Sequence, residues 1–179
     1  MKKILSVVLI CFAACGAVSH NESAPPSKLV EKAKRSQRQH AHEVKKKNRL
    51  VIIDYSLPVF QKRLWVINPQ TNAVLFHGRV GHAGRSGIIY ATVFSNRGGS
   101  NQSSVGSFIT METYHGKYGY SLNVRGLERG VNSNAYKRRI VFHQMTNYPW
   151  SRGCFTIPQV HSRRVINMIK DGIFVYVAP

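Results

Sequence analysis

Acidic residues are scarce in this sequence: 7 Asp+Glu face 26 Lys+Arg in 179 residues, a formal net charge of +19. Such a surface seeks polyanions: nucleic acid, anionic lipid or anionic cell-wall polymer. Cysteine is rarer still. The three cysteines are Cys11, Cys15 and Cys154. Long apolar runs are missing too. The one candidate, Ile4 to Val18, is too short to span a bilayer comfortably. A hydrophobic fraction of 43% is ordinary, which argues against wholesale disorder. The length suits one modest domain with a short arm and leaves little room for two.

The start of the chain has the three parts of a secretory signal: basic Lys2-Lys3, the apolar run, and small residues ending Ala17-Val18-Ser19. Cleavage after Ser19 is expected, with export to the periplasm or cell envelope. Phe12-Ala13-Ala14-Cys15 also has some lipoprotein character, which would make Cys15 a lipidated anchor. Export removes DNA and RNA as partners. A chain cut after Ser19 keeps Cys154 alone, so an internal disulfide is excluded. A single thiol in an oxidising compartment needs burial or a use.

Residues 20–49 read as a basic arm. From Lys28 to Arg49, nine Lys/Arg stand against Glu31 and Glu43, a net +7. Leu29, Val30, Ala33, Ala41 and Val44 make a poor apolar stripe, so a frayed helix or coil is expected. It serves either as a solvated tether or as an electrostatic anchor to anionic wall or membrane. The domain begins near Leu50 and runs to residue 179. Leu50–Tyr55 reads as a buried strand. Lys62–Ile67 and Ala73–His77 flank a five-residue turn, a hairpin. Residues 79–104 are a long Gly/Ser/Asn-rich loop with one strand around Tyr90–Phe94. Strands follow at Ser107–Thr113, Tyr120–Val124 and Arg138–His143. Pro158 opens a helix that Gly172 closes, and Ile173–Val177 is the last strand. Seven or eight strands and one clear helix predict a β-rich sandwich or barrel-like domain.

The chemistry gathers between His143 and Cys154. His143 ends a strand, and Cys154 lies eleven positions on, so a returning chain can bring the two together. Gly153 permits a tight turn under a nucleophile and leaves nearby N–H groups uncovered for an oxyanion. The charge of Arg152 would favour thiolate, and a neighbouring imidazole can move protons. A lone cysteine is more often a small buried hydrophobe, and physics alone does not decide. No carboxylate is near either residue in sequence, so a Cys-His-Asp triad arises only through folding. Otherwise a main-chain carbonyl orients the imidazole. One cysteine and scattered histidines show no metal-ligand spacing, and no cofactor is expected.

At these residues the sequence resembles the murein L,D-transpeptidase catalytic-domain family (YkuD-like), over roughly residues 50–179. Ser151-Arg152-Gly153-Cys154-Phe155 is similar to the family's Ser-x-Gly-Cys signature, and His143 to its catalytic histidine. Asp54-Tyr55-Ser56, Lys62–Ile67, Phe94-Ser95-Asn96, Gly99–Ser104 and Gly119–Leu122 resemble one branch of it. The resemblance implies a mainly β (β-rich α+β) mixed-sheet sandwich with one C-terminal helix. It implies that Cys154 attacks the carbonyl of the third residue of a peptidoglycan stem peptide. The terminal D-residue leaves, and the thioester passes to an amine acceptor; water in its place would make an L,D-carboxypeptidase. His143 would be base and acid, oriented by the carbonyl of Gln144. Arg152, Gly153 and Cys154 would offer oxyanion N–H groups. Ser151, Tyr118, Tyr120 and His82 are candidates to contact substrate. Many relatives carry His at the place of Arg152, and here Phe155 and Thr156 follow the cysteine. The competing class is a non-catalytic wall-binding module.

Overall fold

A strand with apolar residues at consecutive positions needs cover on both faces. In the computed structural model, which describes residues 23–179, β1 (Leu50–Asp54) is that strand and is buried along its whole length. It pairs antiparallel with β2 (Leu64–Ile67) and parallel with the last strand, β10 (Phe174–Ala178). β3 (Val74–Gly78) closes the expected hairpin at one edge. β5 (Gly106–Gly116) and β6 (Gly119–Gly126) form a long hairpin beside β10. β7 (Val141–Gln144) and β9 (Phe155–Ile157) complete the other edge as a parallel pair. The result is a mixed eight-stranded sheet, in the order β3-β2-β1-β10-β5-β6-β7-β9. A second ladder of two short strands, β4 (His82–Ala83) and β8 (Trp150–Ser151), lies parallel beside it.

Alternation along the strands divides the core in two. Val51, Ile53, Val175 and Phe142 pack with Val165, Ile166 and Ile169 of the C-terminal helix α2 (Gln159–Ile169). Leu50, Ile52, Trp65, Ile67 and Phe174 point the other way and are covered by the arm.

That second cover corrects the frayed-helix expectation. Residues Ser27–Gln39 form a regular helix, α1, in which Leu29 and Ala33 are buried one turn apart. They join Val44 on the sheet face. Burying a Leu or Val side chain is worth roughly 1.5–3 kcal/mol, and polar pins add to it. Ser36 Oγ lies 2.5 Å from Ser107 Oγ, Trp65 Nε1–H donates to the Ser23 carbonyl, and Arg125 holds Glu43 at 2.6 Å. The arm is a layer of the fold, and among the described residues there are two α-helices where sequence suggested one clear helix.

Two strand expectations also change. Residues 90–94 are loop, with Tyr90 and Val93 exposed and only an isolated bridge from Phe94 to Ser103. The strand expected at Arg138 begins at Val141, because Arg139 adopts a left-handed φ of 55°, which interrupts an extended path.

Candidate active site

β7 and β9 bring the histidine and the cysteine onto neighbouring strands. Their register pairs Phe142 with Phe155 and His143 with Thr156. Phe142 and Phe155 stack in the core at 4.6 Å, so alternation turns His143 and Thr156 away from it. Cys154 sits immediately before β9, one step before Phe155 in that register. His143 on β7 and Cys154 just before β9 are therefore two register positions apart.

The cysteine is half-buried on a shaped turn. Gly153 has φ 129°, and a Cβ there would come within 2.5 Å of Ile140 Cδ1, so both backbone and space call for glycine. Ser151 Oγ donates to the Cys154 carbonyl at 2.7 Å and accepts from the Gly153 N–H at 3.1 Å. The hydroxyl of Ser151 thus builds the turn; it is committed to backbone and is not a free substrate contact. The same bond takes the Gly153 N–H out of the expected oxyanion set. Cys154 Sγ–H donates to the carbonyl of left-handed Arg139 at 3.5 Å. Burial pushes the thiol up, while the Val141 backbone and the Arg138 guanidinium pull it back toward thiolate.

Arg138 therefore takes the electrostatic part expected of Arg152, whose side chain is exposed. Nothing in the sequence singled Arg138 out. Its Nη1 donates to Ser95 O and Ser104 Oγ, and its Nη2 to Ser100 Oγ and Gln102 O. One guanidinium thereby ties the polar 95–104 loop to the cysteine's surroundings.

His143 is 4% exposed. Its Nδ1–H donates to the Gln144 carbonyl at 2.7 Å. Of the two orienting groups left open by sequence, the main-chain carbonyl is the one in contact. Burial pushes this imidazole below its ordinary range, so it is neutral near pH 7 with Nε2 unprotonated. Tyr118, 41% exposed, stacks on its ring at 4.4 Å. Ser121, given no role of its own in the sequence reading, is the residue at the level of His143 on β6, since Leu122 pairs with Phe142.

Tyr120 and His82 are not where a cleft reading put them. Tyr120 shares the core-side parity of Leu122. Its hydroxyl donates to Asn167 at 2.9 Å and Arg163 lies over its ring, so it packs on α2. His82 is fully buried: Arg63 Nη2 donates to its Nδ1 at 2.7 Å, and its Nε2–H donates to the Gly87 carbonyl at 2.8 Å. Arg63, itself fully buried, also donates to Val80 O and Leu57 O and covers the Tyr55 ring at 4.8 Å. Among the described residues no group of three His, Cys, Asp or Glu is gathered.

Chemically, a thiol can give up its proton to a neutral imidazole within reach and present sulfur to an electrophile. Comparison with known proteins gives the class. A family profile for the L,D-transpeptidase catalytic domain matches residues 20–177, and the chain belongs to that family. No curated protein matches the chain. Among solved structures, it is similar to the helical cell shape determining protein Pgp2 of Campylobacter jejuni. That likeness has a TM-score of 0.53 at 12% identity, over 72% of this chain and 46% of that one. The Ldtfm–avibactam carbamoyl enzyme gives 0.50 at 10%, over 74% and 49%. An L,D-transpeptidase from Stackebrandtia nassauensis gives 0.46 at 19%, over 76% and 58%. These likenesses concern the fold, and the chain spans about half the length of the structures it matches.

Proposed function

We propose that the chain is a peptidoglycan L,D-transpeptidase with Cys154 as nucleophile and His143 as its base. The observation that carries this reading is the pairing of β7 with β9. It supports the reading because the cysteine, on a glycine turn, lies two register positions from a histidine whose Nδ1–H donates to a carbonyl and whose Nε2 makes no hydrogen bond among the described residues.

In the proposed cycle, His143 Nε2 takes the thiol proton and Sγ bonds to the carbonyl carbon of the third stem residue. The tetrahedral oxyanion collapses, the C–N bond breaks, and His143 gives its proton to the amine of the departing D-residue. An acceptor amine then attacks the thioester and loses its proton to His143. The thiolate leaves and is reprotonated. Arg138 favours the thiolate in both halves of the cycle. Family membership supports the reaction class.

Incubation with a tetrapeptide muropeptide, followed by mass analysis, tests the reading. Crosslinked dimers with release of D-alanine are expected from the wild type, and no product from Cys154→Ala with unchanged circular dichroism. Tripeptide with D-alanine and no dimer would make it a carboxypeptidase. Binding to sacculi without turnover would make it a wall-binding module.

We also infer that α1 presents its charge to an anionic wall or membrane surface. Its docked face buries Leu29 and Ala33, while Lys28, Lys32, Arg35 and Arg38 are exposed. Removing the arm would uncover the sheet, so neutralisation is the cleaner test. Changing those four residues to Gln should weaken low-salt binding to anionic vesicles or sacculi, with screening over about 10 Å at 0.1 M salt. Binding equal to wild type would refute the role.

A further inference from the structure

Beside the cysteine turn lies a cavity of about 330 Å³ whose charged lining is all of one sign: Lys137, Arg138 and Arg152. Its wall includes Gly98 and Gly99, where an added Cβ would meet nothing within 4 Å, so bare backbone faces open space. No acidic side chain lines it. Among the described residues the ion pairs belong to His42, Glu43, Lys46, Arg125 and Asp171, and none involves these three cations.

The three cations differ in what they can still do. Arg138 has both terminal nitrogens committed to four acceptors in the 95–104 loop, so it contributes fixed charge. Lys137 and Arg152 are exposed and keep their donors for something else. Uncompensated like charges in one concavity raise its potential, and an anion relieves it. The cavity also adjoins the turn that carries the cysteine. Arg138 Nη2 lies 3.4 Å from where a Gly153 Cβ would stand, and Arg152 is two residues before Cys154.

We propose that this cavity is a carboxylate subsite: Lys137 and Arg152 receive the free terminal α-carboxylate of the acyl-donor peptide. This rests on the reaction proposed above. In that reaction the carboxylate carbon of the departing residue is three bonds from the attacked carbonyl carbon. A cationic cavity adjoining the cysteine turn offers that carboxylate its counter-charge. Charge-assisted hydrogen bonds to a carboxylate give both strength and orientation. The consequence is selectivity for donors that end in a free acid.

Two measurements on the full chain test this. The first compares a tetrapeptide ending in D-alanine with the same peptide ending in D-alaninamide. Wild type should prefer the acid in kcat/KM by about 10–100-fold, the usual worth of hydrogen bonds to a charged group. Lys137→Ala/Arg152→Ala should bring the preference toward one, chiefly through KM. Equal turnover of acid and amide by wild type would overturn the proposal.

The second measurement needs no peptide. The rate of Cys154 alkylation by iodoacetate relative to iodoacetamide is normalised to the same ratio for N-acetylcysteine. It should be raised in wild type and fall severalfold in Lys137→Ala/Arg152→Ala. Lys62→Ala/Arg164→Ala, with the same change in net charge elsewhere, should keep the wild-type ratio. If wild type turns over neither peptide, the reaction reading fails and the alkylation ratio decides the cavity. A raised ratio lost in Lys137→Ala/Arg152→Ala keeps the anion site; a ratio identical in the two proteins removes it.

Discussion

His82 and His143 are alike in almost everything that is usually asked of a functional histidine. Both are buried, burial pushes both imidazoles below their ordinary range, and each has a ring nitrogen against a backbone carbonyl at 2.7–2.8 Å. They differ in the second nitrogen. In His82 it accepts from Arg63, so the ring is saturated and holds β4 in place beside β8, the strand that leads into the cysteine turn. In His143 the second nitrogen makes no hydrogen bond among the described residues, and a Tyr118 ring covers the face of the imidazole. Burial and neutrality make a histidine available as a base only where a nitrogen is left unshared.

Two substitutions should separate these regions. His143→Ala should lose on the order of 10²–10⁴-fold in rate, the usual contribution of a positioned base, with little change in Tm. A similar rate in the variant would remove His143 from the chemistry. His82→Leu should do the reverse. It leaves a buried Arg63 donor without its acceptor, a cost of about 3 kcal/mol, which is roughly 6–12 °C in Tm for a chain of this size. Its rate per folded molecule should stay within about tenfold of wild type. A His82→Leu protein of wild-type Tm would mean the Arg63–His82 bond is unimportant.

The smallest effect is on pH dependence. Both histidines have lowered values in the fold, so on acidification the unfolded chain binds protons first. Their contribution to stability is present above the unfolded value of about 6.5. It is lost as pH falls from there through the lower folded values. Tm should decline below about pH 6.5, and less steeply in His82→Leu than in wild type. Parallel curves would show that His82 is not one of the titrating groups.

The contrast between the histidines also marks what sequence could show. The strand that ends at His143 and the turn before Cys154 were legible because a histidine at a strand end and a glycine before a cysteine are local signals. The Gln144 carbonyl came with the family resemblance. His82 was misplaced because a histidine in a Gly-rich loop looks the same whether it faces a cleft or an arginine 19 residues away. Tyr120 was readable in principle: it has the parity of Leu122, a core residue. Arg138 was not, since its role depends on a turn and on four acceptors from a separate loop.

The hairpin, the β5–β6 pair and α2 followed from periodicity and turn residues. The docked arm did not, because Leu29, Ala33 and Val44 are too few to announce a stripe. Its one indirect sign was the apolar run of β1, which required a second cover that a single helix could not supply.

The central claim is that Cys154 carries the acyl group with His143 as its base. The most direct measurement is intact-protein and peptide mass spectrometry after rapid acid quenching of a reaction with tetrapeptide muropeptide, or with a carbapenem as a slow-turnover acylating probe. One acyl group is expected, localised to Cys154 in wild type, absent from Cys154→Ala, and forming at the same residue but far more slowly in His143→Ala. An acyl group on any other residue, or turnover by Cys154→Ala, would contradict it.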